Sequence, residues 1–291
     1  MTAPLMLGVL AWQVGRPESL DAYAARLDQE VRQGVAAGAE LLLMPEYAAV
    51  EVASAFACAG VAAEMDAMLD EAGTILAIQR ACAMRHRVWL LPGTRPVRRD
   101  GIVVNQAPLI APDGRIAVQE KLVMTRFETE DWHVRPGRPP GVVQTPWGLI
   151  GIAICYDVEF PALVRAQVEA GAWLVLVPSC TETPHGAQRV EVSARARALE
   201  NQCFVAVAPT VGEAPWLATL DRNSGRAGVF GPIDRGFADD GVVAAGRPDL
   251  PGWLVSRLDP ARLDAVRRDG GVLNHRDWPA AVPPAPILAF T

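Results

Sequence analysis

No uninterrupted run of about 18 apolar residues, the least that a membrane-crossing helix needs, occurs in this 291-residue sequence, although 51% of it is hydrophobic. The apolar residues come in short runs broken by charge, Gly or Pro, which is the pattern of a chain that buries a large core. Basic clusters are also scarce. Arg98-Arg99 and Arg267-Arg268 are the only adjacent basic pairs and the net charge is -6, so neither nucleic acid nor a membrane surface is expected as a partner. The N-terminal MTAPLMLGVLAWQ has no basic start of the kind a secretory signal carries, so it reads as a buried first strand and a cytoplasmic location is expected.

Cysteine pairs and histidine clusters are missing as well. Cys58, Cys82, Cys155, Cys180 and Cys203 are odd in number and form no CxxC, which points to neither a disulfide framework nor a zinc ribbon and fits a reducing compartment. His86, His133, His185 and His275 show no HxH or HExxH spacing, so no metal and no cofactor are expected.

What is present is an alternation of two periodicities. Leu5 to Trp12 reads as a strand, and Leu20 to Ala37 as a helix closed by Gly38. Leu41 to Met44 is a short apolar run stopped by Pro45; Glu64 to Arg85 is helical in pattern; Val88 to Leu91 is again a strand, stopped by Pro92. Between Val103 and Val123 the turn sequence Pro112-Asp113-Gly114-Arg115 separates two strand-like runs, which predicts a hairpin. Alternation resumes with a strand at Leu149 to Ile154, a helix at Ala162 to Glu169, a strand at Trp173 to Val177, a helix at Gln188 to Asn201 and a strand at Phe204 to Ala208. This predicts an α/β protein with mixed sheets covered by helices, in a single domain because no Pro/Gly/Ser-rich linker interrupts it. The residues after Leu263 are proline-rich at their end and weakly periodic, so 264–291 is expected to be an extended tail packed on the domain or on a partner subunit.

In α/β proteins functional groups collect beyond the carboxyl ends of the strands. Three chemical groups stand there: Glu46 after LLLMP, Lys121 after IAVQE, and Cys155 after GLIGIAI. A thiol, a carboxylate and a cation suffice for acyl transfer, serving as nucleophile, proton carrier and oxyanion partner. A Glu desolvated beside a Cys should have a raised pKa. Spacing alone also allows a plain reading of each: an inert core thiol, a helix cap and a solvated lysine.

The segments LLLMPEY, EKLVMTRFE, GIAICYDVEFP and SARARALENQCFV, in that order, resemble the nitrilase superfamily of carbon-nitrogen hydrolases, amidase and carbamoylase-like branch. The resemblance runs from the first strand through GVFGPIDRGFADDGVVAAG to Leu258-Asp259. It implies a four-layer α-β-β-α sandwich with two mixed sheets over residues 1–263, and a Cys-Glu-Lys triad carried by Cys155, Glu46 and Lys121. It also implies a second glutamate after the lysine, for which Glu128 is the first choice ahead of Glu130 and Asp131, and a homodimer or larger homo-oligomer.

Tyr156-Asp157 after the cysteine resembles amidases and carbamoylases, where nitrilases carry Trp-Glu, so the implied substrate is a small amide or N-carbamoyl compound. The backbone N–H of Tyr156 is expected to complete an oxyanion hole, and Asp157 to orient its loop. The chain departs from the family at Pro178-Ser179-Cys180-Thr181-Glu182 and at His185. A nitrile substrate, a Cys155-His185 hydrolase and a non-catalytic binding module are therefore the competing readings.

Overall fold

The computed structural model describes residues 3–279. The chain runs β1 (Leu5–Gln13), α1 (Leu20–Ala36), β2 (Leu41–Leu43), α2 (Val61–His86), β3 (Trp89–Leu91), β4 (Arg95–Arg99), β5 (Ile102–Ile110), β6 (Ile116–Glu120) and α3 (Arg126–Glu130). It continues through β7 (Val142–Thr145), β8 (Gly148–Ile152), α4 (Pro161–Glu169), β9 (Leu174–Ser179), α5 (Pro184–Asn201) and β10 (Phe204–Glu213). Last come β11 (Arg222–Asn223), β12 (Gly228–Phe230), β13 (Val242–Ala245), β14 (Gly252–Leu258), α6 (Pro260–Asp269) and α7 (Asn274–Asp277).

Local chemistry explains the helix boundaries. Ser19 caps α1 by accepting the N–H of Ala22, and Tyr23, Leu27 and Val31, spaced by four, give the helix its buried stripe. Thr183 caps α5 by accepting the N–H of Gly186, with Pro184 in the first helical position, where no N–H is needed. The sequence placed the start of α5 at Gln188, one turn too late, because the capping turn itself is polar.

The strands form one path in the order β4-β5-β3-β2-β1-β10-β9-β8-β7. From β3 to β8 neighbouring strands are parallel, and the flanking pairs β3-β5 and β7-β8 are antiparallel. Leu7 to Val9 of β1 pair with β2 and Leu5 to Ala11 pair antiparallel with β14, but Trp12 and Gln13 pair with Thr210 and Val211 of β10, so the mixed sheet curls at that junction. The predicted hairpin is β5-β6, with Ile110 opposite Ile116.

Side-chain alternation along β1 divides the core. Leu5, Leu7, Val9 and Ala11 join the strands β8 to β10 and helices α4 and α5 in one buried cluster. Leu10 and Trp12 point the other way, into a second cluster with Tyr23, Leu27 and Val31 of α1 and Met68 and Ile75 of α2. Strands covered on both faces explain why the sequence reads as near-continuous apolar runs.

Two expectations need revision. The stretch from residue 264 was expected to be extended, yet α6 continues to Asp269 under an Asp259 cap and α7 follows; the proline-rich remainder, 280–291, lies outside the described residues. Leu149 to Ile154 was read as one strand, but β8 ends at Ile152, and Cys155 opens a separate 3-10 turn, Cys155–Glu159.

Candidate active site

Glu46 leaves β2 through Pro45 and enters a tight bend. Tyr47 has φ +56, and its N–H donates to Thr94 Oγ1 at 3.0 Å. Opposite, Gly93 has φ +87, and a Cβ there would stand 1.9 Å from the Pro45 carbonyl oxygen, so only glycine fits beside the bend. Cys155 follows β8 with φ +47, a left-handed conformation that costs a non-glycine residue about 1–3 kcal/mol and that aims the side chain off the strand axis. Lys121 follows β6, and its own N–H is held by the Asn105 carbonyl of β5 at 2.9 Å.

These elements converge. Lys121 Nζ donates to Glu46 Oε1 at 2.8 Å and to Glu128 Oε2 at 2.6 Å, with the lysine and both carboxylates buried. Asn105 Nδ2 donates to Glu46 Oε1 at 3.0 Å, and the backbone N–H of Cys180 to Glu46 Oε2 at 3.1 Å. Glu128 is fixed independently: Thr125 and Glu128 form a reciprocal capping box at the start of α3, and Tyr47 Oη donates to Glu128 Oε1 at 2.8 Å. Glu130, the other choice, is exposed and pairs with Arg126, and Asp131 caps the end of α3 on the surface.

The same neighbourhood pushes the two glutamates apart. Burial, reinforced by the charge of Glu128 and opposed by Lys121, raises Glu46 to about 7. For Glu128, burial is outweighed by Lys121 and by its Thr125 and Tyr47 donors, which hold it below the usual carboxylate range. Burial would lower Lys121, but Glu128 and Glu46 keep it well above the usual ammonium value. The Glu128-Lys121 pair is therefore ionic at neutral pH while Glu46 titrates closer to neutrality, an arrangement that can supply both a fixed counter-ion and a proton carrier.

The thiol of Cys155 is buried, and burial together with the Glu46 charge pushes its pKa well above the ordinary cysteine value. A thiol so placed is not ionised in advance and needs a base when it attacks. Its sulfur accepts a hydrogen bond from Ser179 Oγ at 3.5 Å, and the thiol faces the Cys180 carbonyl at 3.6 Å. The sequence marks Ser179 only as part of a departure from the family pattern, because a serine ending an apolar strand carries no spacing signal for its contact with Cys155. Ser179→Ala is expected to move alkylation of Cys155 by iodoacetamide to higher pH and to lower turnover by up to about tenfold, with Ser179→Thr restoring both. An unchanged alkylation profile would leave Ser179 a packing residue only.

Asp157 does the work expected of it at longer range. Its carboxylate accepts the backbone N–H of Val123 at 2.8 Å and of Leu122 at 3.2 Å, tying the turn after Cys155 to the loop that carries Lys121. Burial, opposed by these donors, raises it to about 6. Asp157→Ala leaves two N–H groups unpaired, so stability should fall by about 2–4 kcal/mol and kcat should fall more than KM rises. Urea unfolding and steady-state kinetics check this, and a variant with normal kcat would dissociate the loop from catalysis.

A cavity of about 570 Å³ opens over these groups, lined by Glu46, Tyr47, Lys121, Glu128, Cys155 and Tyr156, with Trp132 on its wall. Trp132 is held edge-on by Tyr47 and Phe127. Cys180 lines the cavity as well. Trp216 donates to the Gly15 carbonyl at 3.0 Å and lies outside the cavity lining.

Residues 181–183 border the cavity, and so does loop 218–222, which nothing in the sequence singles out. That loop is anchored by buried Glu64 at the start of α2, which accepts the N–H groups of Ala218 and Thr219 at 2.7 and 2.9 Å. His185 is exposed on α5 and lies outside the cavity lining, so the structure does not bring it to Cys155. Arg195 and Arg197, two residues apart on α5, diverge: Arg197 is buried against the Val158 carbonyl and Glu200, and Arg195 is at the surface on the Asp240 carbonyl.

Comparison with known proteins gives a consistent result. A sequence model of the family described as carbon-nitrogen hydrolase matches residues 10–267. The chain is 29% identical to Probable hydrolase YhcX of Bacillus subtilis over 94% of its own length, and spans 53% of that longer protein. It is 30% identical to the deaminated glutathione amidase of a Synechocystis species, covering 89% of this chain and 92% of that one. Among solved structures, a mutant of Nesterenkonia AN1 amidase from the nitrilase superfamily superposes with a TM-score of 0.72 at 22% identity, over 96% of this chain and 98% of that chain. With a family model spanning most of its length, the chain belongs to the carbon-nitrogen hydrolase family.

Proposed function

We propose that the chain hydrolyses the C–N bond of a small amide or N-carbamoyl compound through a thioester on Cys155, with Glu46 as the proton carrier. The observation that carries this reading is the split between two glutamates on one lysine: Glu46 is raised to about 7 while Glu128 stays ionised against Lys121. Glu46 takes the thiol proton as the sulfur attacks the carbonyl carbon. Lys121 and the backbone N–H of Tyr156, in the first turn after the nucleophile, face the developing oxyanion. Glu46 then returns the proton to the leaving nitrogen, the C–N bond breaks, and ammonia or an amine departs. Water, deprotonated by Glu46, releases the acid and restores the thiol. Glu128 holds Lys121 in place and stays charged throughout.

The bend at the β1-β10 junction and the cluster enclosed between the two halves of the strand path support a four-layer α-β-β-α sandwich. Tyr156-Asp157 favours an amide or carbamoyl group over a nitrile, and the homo-oligomer implied by the family resemblance is part of the same reading.

The test is a panel of small amides, N-carbamoyl compounds and matched nitriles, with ammonia release and intact mass followed together. An acyl-sized mass increase accompanied by ammonia supports the thioester route and identifies the acyl group. No adduct and no ammonia across the panel would favour a binding module.

A further inference from the structure

Where α1 packs against α2, three donor side chains meet outside the site described above. Cys82 and His86 stand four residues apart on α2, one above the other on a single face. Asp28 of α1 stands opposite, with its Oδ1 2.9 Å from His86 Nε2. The Cys82 sulfur, a His86 nitrogen and an Asp28 oxygen all lie within 4.8 Å of one another, and among the described residues this is the one such convergence of three His, Cys, Asp or Glu side chains.

We propose that this cluster binds one divalent cation of the zinc class, through the Cys82 thiolate, the His86 imidazole and the Asp28 carboxylate, with water as the fourth ligand. The donor set selects the ion: thiolate with imidazole suits zinc and its neighbours, whereas magnesium and calcium take oxygen ligands. A tetrahedral zinc needs donors about 3.5 Å apart, so the cluster needs only a small contraction about the ion. Solvent reaches the open side through a cavity of about 310 Å³ bordered by Asp28, Gln29 and Arg85, which is where a fourth, water ligand enters. Arg85 competes for Asp28 Oδ1 at 2.6 Å, but its side chain is 64% exposed and swings into solvent at little cost.

Binding exchanges one proton for one bond: the buried Cys82 thiol releases its proton to solvent as the sulfur–metal bond forms. The ion would cross-link α1 to α2 and so stiffen the helical cover of β1 to β3. The expectation of no metal came from histidine spacing, which is blind to Asp28, 58 positions before His86.

The test uses full-length Cys155→Ala protein, so that the proposed nucleophile cannot supply the thiolate, titrated with Co(II) and then Zn(II). One Co(II) per chain with thiolate-to-cobalt charge-transfer absorption is expected, displaced by Zn(II), which also raises Tm. Adding Cys82→Ser should abolish the absorption. His86→Ala lies at the partly exposed end of α2, where folding is least at risk, and should weaken binding at least tenfold. Absence of the charge-transfer band, its survival in the Cys82→Ser protein, or unchanged affinity in His86→Ala would overturn the proposal.

Discussion

Cys155→Ala is expected to lower kcat by at least about ten-thousand-fold while leaving the fold intact and abolishing any acyl adduct on the protein. The size of the effect follows from what remains. Lys121 still bonds Glu46 and Glu128, and Glu46 keeps its Asn105 and Cys180 N–H donors, so the cavity should still bind substrate. What is lost is the covalent route, which splits a difficult displacement by water into two easier steps. Removing one side-chain atom from a buried site should cost little stability. Intact mass, kinetics and a thermal melt on the same preparation test it. A variant retaining more than about one hundredth of wild-type turnover would sink the thioester mechanism.

Glu46→Gln is the second large effect, a loss of about 10² to 10⁴ in kcat with the acidic limb of the pH profile removed. In the wild type Glu46 titrates at about 7. Below that pH it already carries a proton and cannot accept the one on Cys155, so kcat/KM should fall about tenfold per pH unit on the acid side. Stability should move the other way. A folded-state pKa of about 7 above an ordinary 4.5 means that Glu46 contributes stability fully below about 4.5 and loses it as pH rises through about 7. Asp157 acts with the same sign between 3.8 and about 6. Urea midpoints across this range should therefore decline less steeply in Glu46→Gln than in wild type, with Asp157 supplying the remaining slope. Equal slopes, or a Gln variant that keeps the acidic limb, would move the proton-carrier role to another group.

The competition between Glu46 and Glu128 illustrates what local sequence cannot contain. Both are glutamates near a turn, and the difference lies in their donors. Glu128 draws on Thr125, Tyr47 and Lys121 through the capping box and the neighbouring bend, whereas Glu46 shares Lys121 and otherwise relies on Asn105 and the Cys180 N–H. Neither Asn105 nor Ser179 announces itself in sequence, because each matters only through a neighbour brought close by strand pairing. Loop 218–222 was missed for a related reason. Its anchor, Glu64, is 155 residues from Thr219.

The sequence by itself determined β1 to β3 and β8 to β10 with the helices between them, the hairpin before Lys121, and the positions of Glu46, Lys121 and Cys155 beyond the ends of strands, but it did not mark β4, β7 or α3. Periodicity, turn residues and strand-terminating prolines are written locally, over a span of a few residues. The tertiary structure alone decided that Glu128 and not Glu130 faces Lys121, that His185 stands outside the cavity, that Asp157 clamps the Lys121 loop, and that Asp28 meets Cys82 and His86. It also turned the start of the expected tail into helix. These outcomes depend on burial and on contacts between segments distant in the chain, where desolvation sets which carboxylate keeps its proton and the curl of the sheet sets which side chains meet.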